Sequence, residues 1–272
     1  MDQKFFSVVL SDLSIGYKTK QGVRMVAGPM SASLQSGCLT CLIGENGVGK
    51  STLLRTMSAF QAPLSGTVSV RLTPNGECKS LSTLTSTELA RSIGIVLTEK
   101  PDVGEMTAME LVEMGRSPYT GFWGRLSSAD RDVCMEAVRL IGIEPLCRRM
   151  VRTLSDGERQ KVMIAKALAQ QTPIIYLDEP TAFLDYPSKV ETLLLLRRIC
   201  REHGKTVFLS THDLELALQV ADTVWLMDRE EGLKTGSPHQ LAQSGVLSRL
   251  IERGNGIVFD RATLSVRVQE PV

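Results

Sequence analysis

Eight residues, Gly44-Glu45-Asn46-Gly47-Val48-Gly49-Lys50-Ser51, have the spacing G-x-x-x-x-G-K-[ST] and are followed by Thr52. Glycines at these intervals let successive backbone N–H groups turn inward around phosphate oxygens, and the next helix adds the positive end of its dipole. Lys50 supplies a point charge suited to β- and γ-phosphates, and the Ser51 hydroxyl is a hard oxygen ligand of the kind Mg²⁺ takes. A second group lies far along the chain, in Ile174-Ile175-Tyr176-Leu177-Asp178-Glu179-Pro180. Four apolar residues ending in two carboxylates read as a buried strand that delivers Asp178 to a sheet edge, where open α/β sheets bind ligands. Asp178 is placed to share the Mg²⁺, and Glu179 to orient and polarise the water that attacks a phosphoryl group.

A third group is Leu154-Ser155-Asp156-Gly157-Glu158-Arg159-Gln160. Ser155 and Glu158 have capping-box spacing, so this segment opens a helix and leaves free amides beyond its cap. Alone, that is only a helix start. In a chain with one phosphate loop already, a second anion-ready helix end calls for a second anion.

The elements that must carry these groups follow from periodicity. Val8, Leu10, Leu13 and Ile15 alternate as in a β-strand, and Lys18–Gly22 reads as a turn. Leu39–Ile43 is a short apolar run ahead of the phosphate loop, and Lys50–Met57 reads as the helix after it. Val68–Leu72 reads as a strand, closed by a Pro74-Asn75-Gly76 turn. From Thr85 to Leu154 the pattern is helical, with capping boxes at Thr85/Glu88 and Thr107/Glu110. A further helix is expected from Ser128, with Val133, Ala137, Leu140 and Ile141 inward and Gly142 as its stop. Ile174–Leu177, Thr206–Leu209 and Val224–Met227 read as buried strands, with Ser188–Cys200 helical between the first two. Strands alternating with helices, apolar along their whole length, indicate a parallel sheet covered on both faces. After Asp228 the reading is a turn, a helix near Pro238–Leu250 and a strand at Thr263–Val268.

Bulk properties narrow the setting. The 272 residues are 43% hydrophobic and carry a net charge of +1, which argues against a dedicated nucleic-acid partner. No apolar run reaches the ~20 residues of a membrane span, and Met1-Asp2-Gln3-Lys4 does not read as a secretory signal, so any membrane role comes through a partner. The six cysteines follow no disulfide rhythm, which suits a reducing cytosol. Cys38 and Cys41 have C-x-x-C spacing but lead into a strand rather than open a helix, and are read as structural. His203 and His239 lie in polar surroundings and are read as surface residues.

Over residues 5 to 250 the chain resembles the ATP-binding-cassette (ABC) ATPases, whose motif LSGGQ or LSGGE is matched by Leu154-Ser155-Asp156-Gly157-Glu158. The resemblance implies an α/β fold of the P-loop NTPase type, with a mainly parallel sheet, an N-terminal antiparallel β subdomain and an inserted helical subdomain. It divides the single ABC domain, 1–272, into a nucleotide-binding core (1–84 and 156–230), a helical part (85–155) and a C-terminal extension (231–272). It implies that Ser155 and Gly157 meet the γ-phosphate held by a second copy of the chain. Tyr17 then fits the aromatic that stacks on adenine, Asp185 in Leu184-Asp185 fits the loop coupling the two sites, and His212 in Ser210-Thr211-His212-Asp213 fits the switch histidine at the γ-phosphate.

Two positions depart from the family. The glutamine that senses the metal is replaced by Thr98-Glu99 after the strand Ile93–Leu97, and the sequence leaves open which residue takes its place. Asp156 stands where glycine is usual, so its carboxylate must point away from the partner's triphosphate or pair with a cation such as Arg159.

Within the family, Met114-Gly115-Arg116-Ser117-Pro118-Tyr119, Arg125-Leu126, Asp130 and Pro180-Thr181-Ala182-Phe183-Leu184-Asp185 resemble importers of iron–siderophore, haem and vitamin B12. That implies ATP and Mg²⁺ as cofactors, and a second copy, two transmembrane permease subunits and, indirectly, a substrate-binding protein as partners. The implied location is peripheral, on the cytoplasmic face of the inner membrane. An exporter subunit shares all of this ATP chemistry. A soluble repair or translation ATPase would carry tandem cassettes, coiled coils or zinc modules that are not seen here, and a phosphate-loop kinase would lack the Ser155 motif.

Overall fold

The computed structural model describes residues 5–20, 22–98, 103–121, 123–252 and 256–268. The chain opens with β1 (Phe6–Thr19) and β2 (Gly22–Gln35), a long antiparallel hairpin that sets Tyr17 opposite Arg24. The alternating Val8, Leu10, Leu13 and Ile15 are its buried face. β3 (Leu39–Gly44) runs into α1 (Lys50–Met57), β4 (Ser65–Val70) returns to pair with β1, and β5 (Lys79–Ser80) adds an edge strand. α2 (Ser86–Ser92) leads directly into β6 (Ile93–Val96). Three helices follow: α3 (Ala108–Glu113), α4 (Ser128–Ile141) and α5 (Asp156–Ala169). Strands and helices then alternate through β7 (Ile174–Leu177), α6 (Tyr186–His203), β8 (Thr206–Ser210), α7 (Leu214–Val220) and β9 (Thr223–Asp228). β10 (Gly232–Gly236), α8 (Pro238–Gln243), α9 (Val246–Ile251), β11 (Ile257–Asp260) and β12 (Ser265–Val268) complete the described chain.

The central sheet has the order β10-β9-β3-β8-β7-β6, parallel throughout except for the edge strand β10. Alternate residues of its inner strands serve two cores. Tyr176, Phe208 and Trp225 point towards β1, β2, β4 and α1, as a row of edge-to-face rings with centroids 5.9 and 4.9 Å apart. Ile175, Leu177, Val207, Leu209 and Leu226 point the other way, into a core shared with helices α3 to α7. A sheet buried on both faces needs apolar residues at every position, which is why these strands lack alternation in the sequence.

The mainly parallel α/β architecture with an antiparallel β layer is the one expected, and several elements differ in detail. β2 has no simple sequence signal, because Gly28-Pro29 interrupts it and its first half is exposed. β6 is the strand expected at Ile93–Leu97; it interrupts the otherwise helical stretch and pairs with β7 in the central sheet. On α4 the buried stripe is Cys134, Ala137, Val138 and Ile141, whose i, i+3, i+4, i+7 spacing describes one helix face. The expected Val133 and Leu140 flank that stripe and are only half-buried. The single helix expected over Pro238–Leu250 is broken at Gly245, whose φ of 76° ends one helix and starts another. Cys38 and Cys41 are buried and not disulfide-bonded, and burial pushes Cys41 up to about 12, in keeping with a structural role.

Candidate active site

Three parallel neighbours, β3, β8 and β7, end at the same edge of the sheet, and each hands over one part of the site. β3 runs into the Gly44–Ser51 loop, β7 into Asp178-Glu179, and β8 into Thr211-His212. Gly47 and Gly49 have φ of 73° and 118°, conformations that side-chain-bearing residues rarely adopt, and a β-carbon at Gly49 would lie 2.6 Å from Val26 Cγ1. No side chain caps the N-terminus of α1, so its amides face the loop. Glu45 and Val48 close the turn between them, with Val48 N–H donating to the Glu45 carbonyl at 3.4 Å while the Val48 side chain is buried in the core beneath. Lys50 Nζ donates to the carbonyls of Gly44 and Glu45 at 2.8 and 3.1 Å. Burial lowers its pKa, and the nearby carboxylates of Glu179 and Asp178 work in the opposite direction.

The carboxylates face this loop. Ser51 Oγ lies 3.5 Å from Asp178 Oδ1. Glu179 has a φ of 48°, a left-handed conformation uncommon outside glycine, and its Oε1 lies 2.5 Å from His212 Nε2. The Thr98 hydroxyl donates to the Asp178 main-chain carbonyl at 2.7 Å, so its proton serves the end of β7 and its lone pairs remain as acceptors. Glu99, the other residue weighed for the family's glutamine, lies outside the described residues.

A cleft of roughly 430 Å³ gathers most of the expected residues: Tyr17, Asn46, Gly47, Gly49, Lys50, Ser51, Thr52, Glu179 and His212. The Tyr17 hydroxyl is 2.9 Å from Thr52 Oγ1, which leaves its half-exposed ring at the cleft wall. Arg24 and Val26 also line the cleft and were not anticipated. Their signal was the hairpin itself, since a β1–β2 turn at Lys18–Gly22 sets Arg24 beside Tyr17. Ser210 was likewise missed: its Oγ donates to Asp178 Oδ1 at 2.6 Å and accepts the Glu179 N–H at 2.9 Å.

Ser155, Gly157 and Asp185 do not line this cleft. Ser155 caps α5 in a reciprocal box with Glu158, and the Ser155 hydrogen bonds hold the Glu158 carboxyl below its ordinary range. Gly157 faces Leu184 and Ser188 at the start of α6, with 3.6 Å between its β-carbon position and Ser188 Oγ. Asp185 caps α6, accepting from Ser188 N–H at 2.9 Å, and is exposed. Asp156 is paired with Arg159 at 3.2 Å, so the carboxylate that stands in place of glycine has a cation beside it.

A cradle of backbone amides and a lysine, set against two carboxylates at the neighbouring strand end, defines a phosphate-loop nucleotide hydrolase. Residues 27–182 match the family model described as ABC transporter. The chain is 36% identical to the ferric enterobactin transport ATP-binding protein FepC of Escherichia coli, over 90% of this chain and 85% of that protein. It is 34% identical to the cobalamin import ATP-binding protein BtuD of Halobacterium salinarum, over 87% of this chain and 58% of that protein. A dimeric ATP-binding cassette solved in a post-hydrolysis state with ADP and phosphate superimposes with a TM-score of 0.71, at 26% identity, over 85% of this chain and 98% of that one. The chain belongs to the ABC transporter family, as an ATP-binding and ATP-hydrolysing cassette.

Proposed function

We propose that this chain is the ATPase subunit of an importer that takes up an iron–siderophore, haem or cobalamin-type compound through a membrane partner. The observation that carries the reading is the division of the site. The loop, Glu179 and His212 share one cleft, with Asp178 beside its Ser51, whereas Ser155 and Gly157 do not line it and Gly157 faces the start of α6. Two copies placed head to tail would bring the Ser155 helix of each onto the triphosphate held by the other.

The roles follow from the geometry. Tyr17 offers a flat ring to the adenine at the cleft wall. The amides of Gly44–Ser51 and Lys50 hold the phosphates, and Lys50 exchanges its loop carbonyls for phosphate oxygens as it does so. Ser51 and Asp178 offer hard oxygens on either side of one position. Two protein oxygens leave most of an ion's shell to phosphate and water, which suits Mg²⁺. When bound, that Mg²⁺ supplies positive charge against the β- and γ-phosphates. Thr98 holds the Asp178 end of β7 and can accept a hydrogen bond from a water in that shell. Glu179 orients the attacking water, and His212 holds the Glu179 carboxylate while contacting the γ-phosphate. Asp185, at the start of α6, relays the state of one site towards the other.

Nucleotide charge thus closes the dimer, and loss of the γ-phosphate opens it, a shift of population rather than a covalent step. Residues 1–84 and 156–230 form the nucleotide-binding core, 85–155 the helical part and 231–272 the extension. The helical part passes the movement to two permease subunits, around 98–107 and Met114–Tyr119. No helix among the described residues is long and apolar enough to cross a membrane; through its permease pair the subunit sits peripherally on the cytoplasmic face.

The test is reconstitution of the chain with its permease pair in vesicles. ATP-dependent uptake of an iron chelate or a corrinoid supports the reading. ATP-driven movement of compounds in the opposite direction only would replace it with export.

A further inference from the structure

Ser210 ends β8, the strand that lies between β3 and β7, and is fully buried. A hydroxyl has one proton to give and two lone pairs. At Ser210 the proton goes to Asp178 Oδ1 at 2.6 Å, and a lone pair takes the Glu179 N–H at 2.9 Å. One buried atom therefore touches both acidic residues, and bulk water cannot substitute for either bond.

The two bonds act on different things. On Asp178, the bond fixes the rotation of the carboxylate, whose same oxygen lies 3.5 Å from Ser51 Oγ. On Glu179, it holds the main chain at a φ of 48°, a conformation that persists only where surrounding contacts impose it. Two residues beyond Ser210, His212 Nε2 meets Glu179 Oε1 at 2.5 Å. The end of β8 thus grips Glu179 twice, by its backbone and by its side chain. The sheet itself does not depend on this hydroxyl, because Ile174–Leu177 pair with Thr206–Leu209 through the main chain.

We infer that Ser210 is a positioning residue of the hydrolytic centre, its hydroxyl setting the Asp178 carboxylate and the Glu179 backbone together. This rests on the ATPase reading above, and the test separates the two.

The chain and its variants S210A, S210C and S210T are compared by steady-state hydrolysis against ATP and against Mg²⁺, by binding of a fluorescent ATP analogue without metal, by Mn²⁺ titration of the nucleotide-loaded protein followed by electron paramagnetic resonance, and by thermal melting. S210A should bind metal-free nucleotide within about twofold of wild type, because the phosphate loop is untouched. Its kcat should fall roughly 10- to 100-fold, and its need for Mg²⁺ and Mn²⁺ should rise about fivefold. S210C keeps the volume with a poor donor and should track S210A, while S210T, which keeps the hydroxyl, should recover most of the loss. Wild-type kcat and metal affinity in S210A and S210C would overturn the role of Ser210 and leave the ATPase reading intact. An unchanged metal requirement, with kcat falling only as melting temperature falls, would make Ser210 a packing residue and overturn it as well. A wild-type chain that does not hydrolyse ATP would sink the ATPase reading, and the role of Ser210 with it.

Discussion

Where β3, β7 and β8 end, position is set by a turning backbone and by short polar side chains that bond to it. The phosphate loop turns on glycines, Lys50 bonds to carbonyls of its own loop, and Asp178 and Glu179 are tied by short bonds to strand neighbours. Around α3, α4 and α5, position is set by side chains. Each of these helices starts in a capping box, and Arg116 binds them together: its Nε donates to Asp130 at 2.9 Å, its Nη1 donates to the Ala169 carbonyl at 2.8 Å and to Gln171 at 2.9 Å, and it stacks on Tyr119 at 3.9 Å. Backbone turns on a doubly covered sheet suit a cradle that must not yield when charge is bound. Helices pinned to one another by their own ion pair hold their arrangement independently of that cradle. The two regions should therefore be separable by mutation.

The largest contrast should come from Lys50→Ala and Ser155→Arg. Lys50→Ala should cost roughly 100-fold or more in nucleotide affinity by titration calorimetry, since it removes a buried charge from the phosphates. Ser155→Arg should leave that affinity within about threefold yet abolish hydrolysis, because it blocks only the shared half of the site. If Ser155→Arg also abolished binding by one chain, the division of the site would be wrong.

Arg116→Ala should act on the other region alone. Losing a buried cation with several partners should cost about 3 kcal/mol in denaturant unfolding, with ATP affinity unchanged. A matching loss of nucleotide affinity would mean that the two regions are not separate.

Asp130→Asn is the subtlest probe. Hydrogen bonds from Ser127, and then the Arg116 guanidinium, hold the Asp130 carboxyl down to about 2. A depressed folded-state pKa gives stability that is present above the unfolded value near 4 and is lost as pH falls towards 2. The variant should therefore melt below wild type at neutral pH, and the gap should narrow as pH drops from about 5 towards the folded value. A gap independent of pH would assign the effect to packing.

Much of the site could be read from residue order alone, because the phosphate loop and the Asp178-Glu179 strand end are local patterns whose chemistry depends on spacing. The capping boxes at Thr85, Thr107 and Ser155 were legible for the same reason. What was hidden is what the sheet brings together. Ser210 carries no local sign of its partners, which lie 31 and 32 residues earlier in the chain. Arg24 enters the cleft only through hairpin register, on a strand whose apolar rhythm is broken by Gly28-Pro29. Asp156, by contrast, called for a cation such as Arg159 from sequence alone, and the two are paired at 3.2 Å. The displaced face of α4 shows a different limit, since Val133 and Leu140 sit one helical step from residues that are buried.

The central claim is that triphosphate joins two incomplete sites. Its most direct measurement is the solution mass of Glu179→Gln by light scattering, over a range of protein concentrations with saturating ATP and Mg²⁺. Twice the mass of one chain, returning to a single chain when nucleotide is removed, is the predicted result. A strictly monomeric protein under all of these conditions would contradict it.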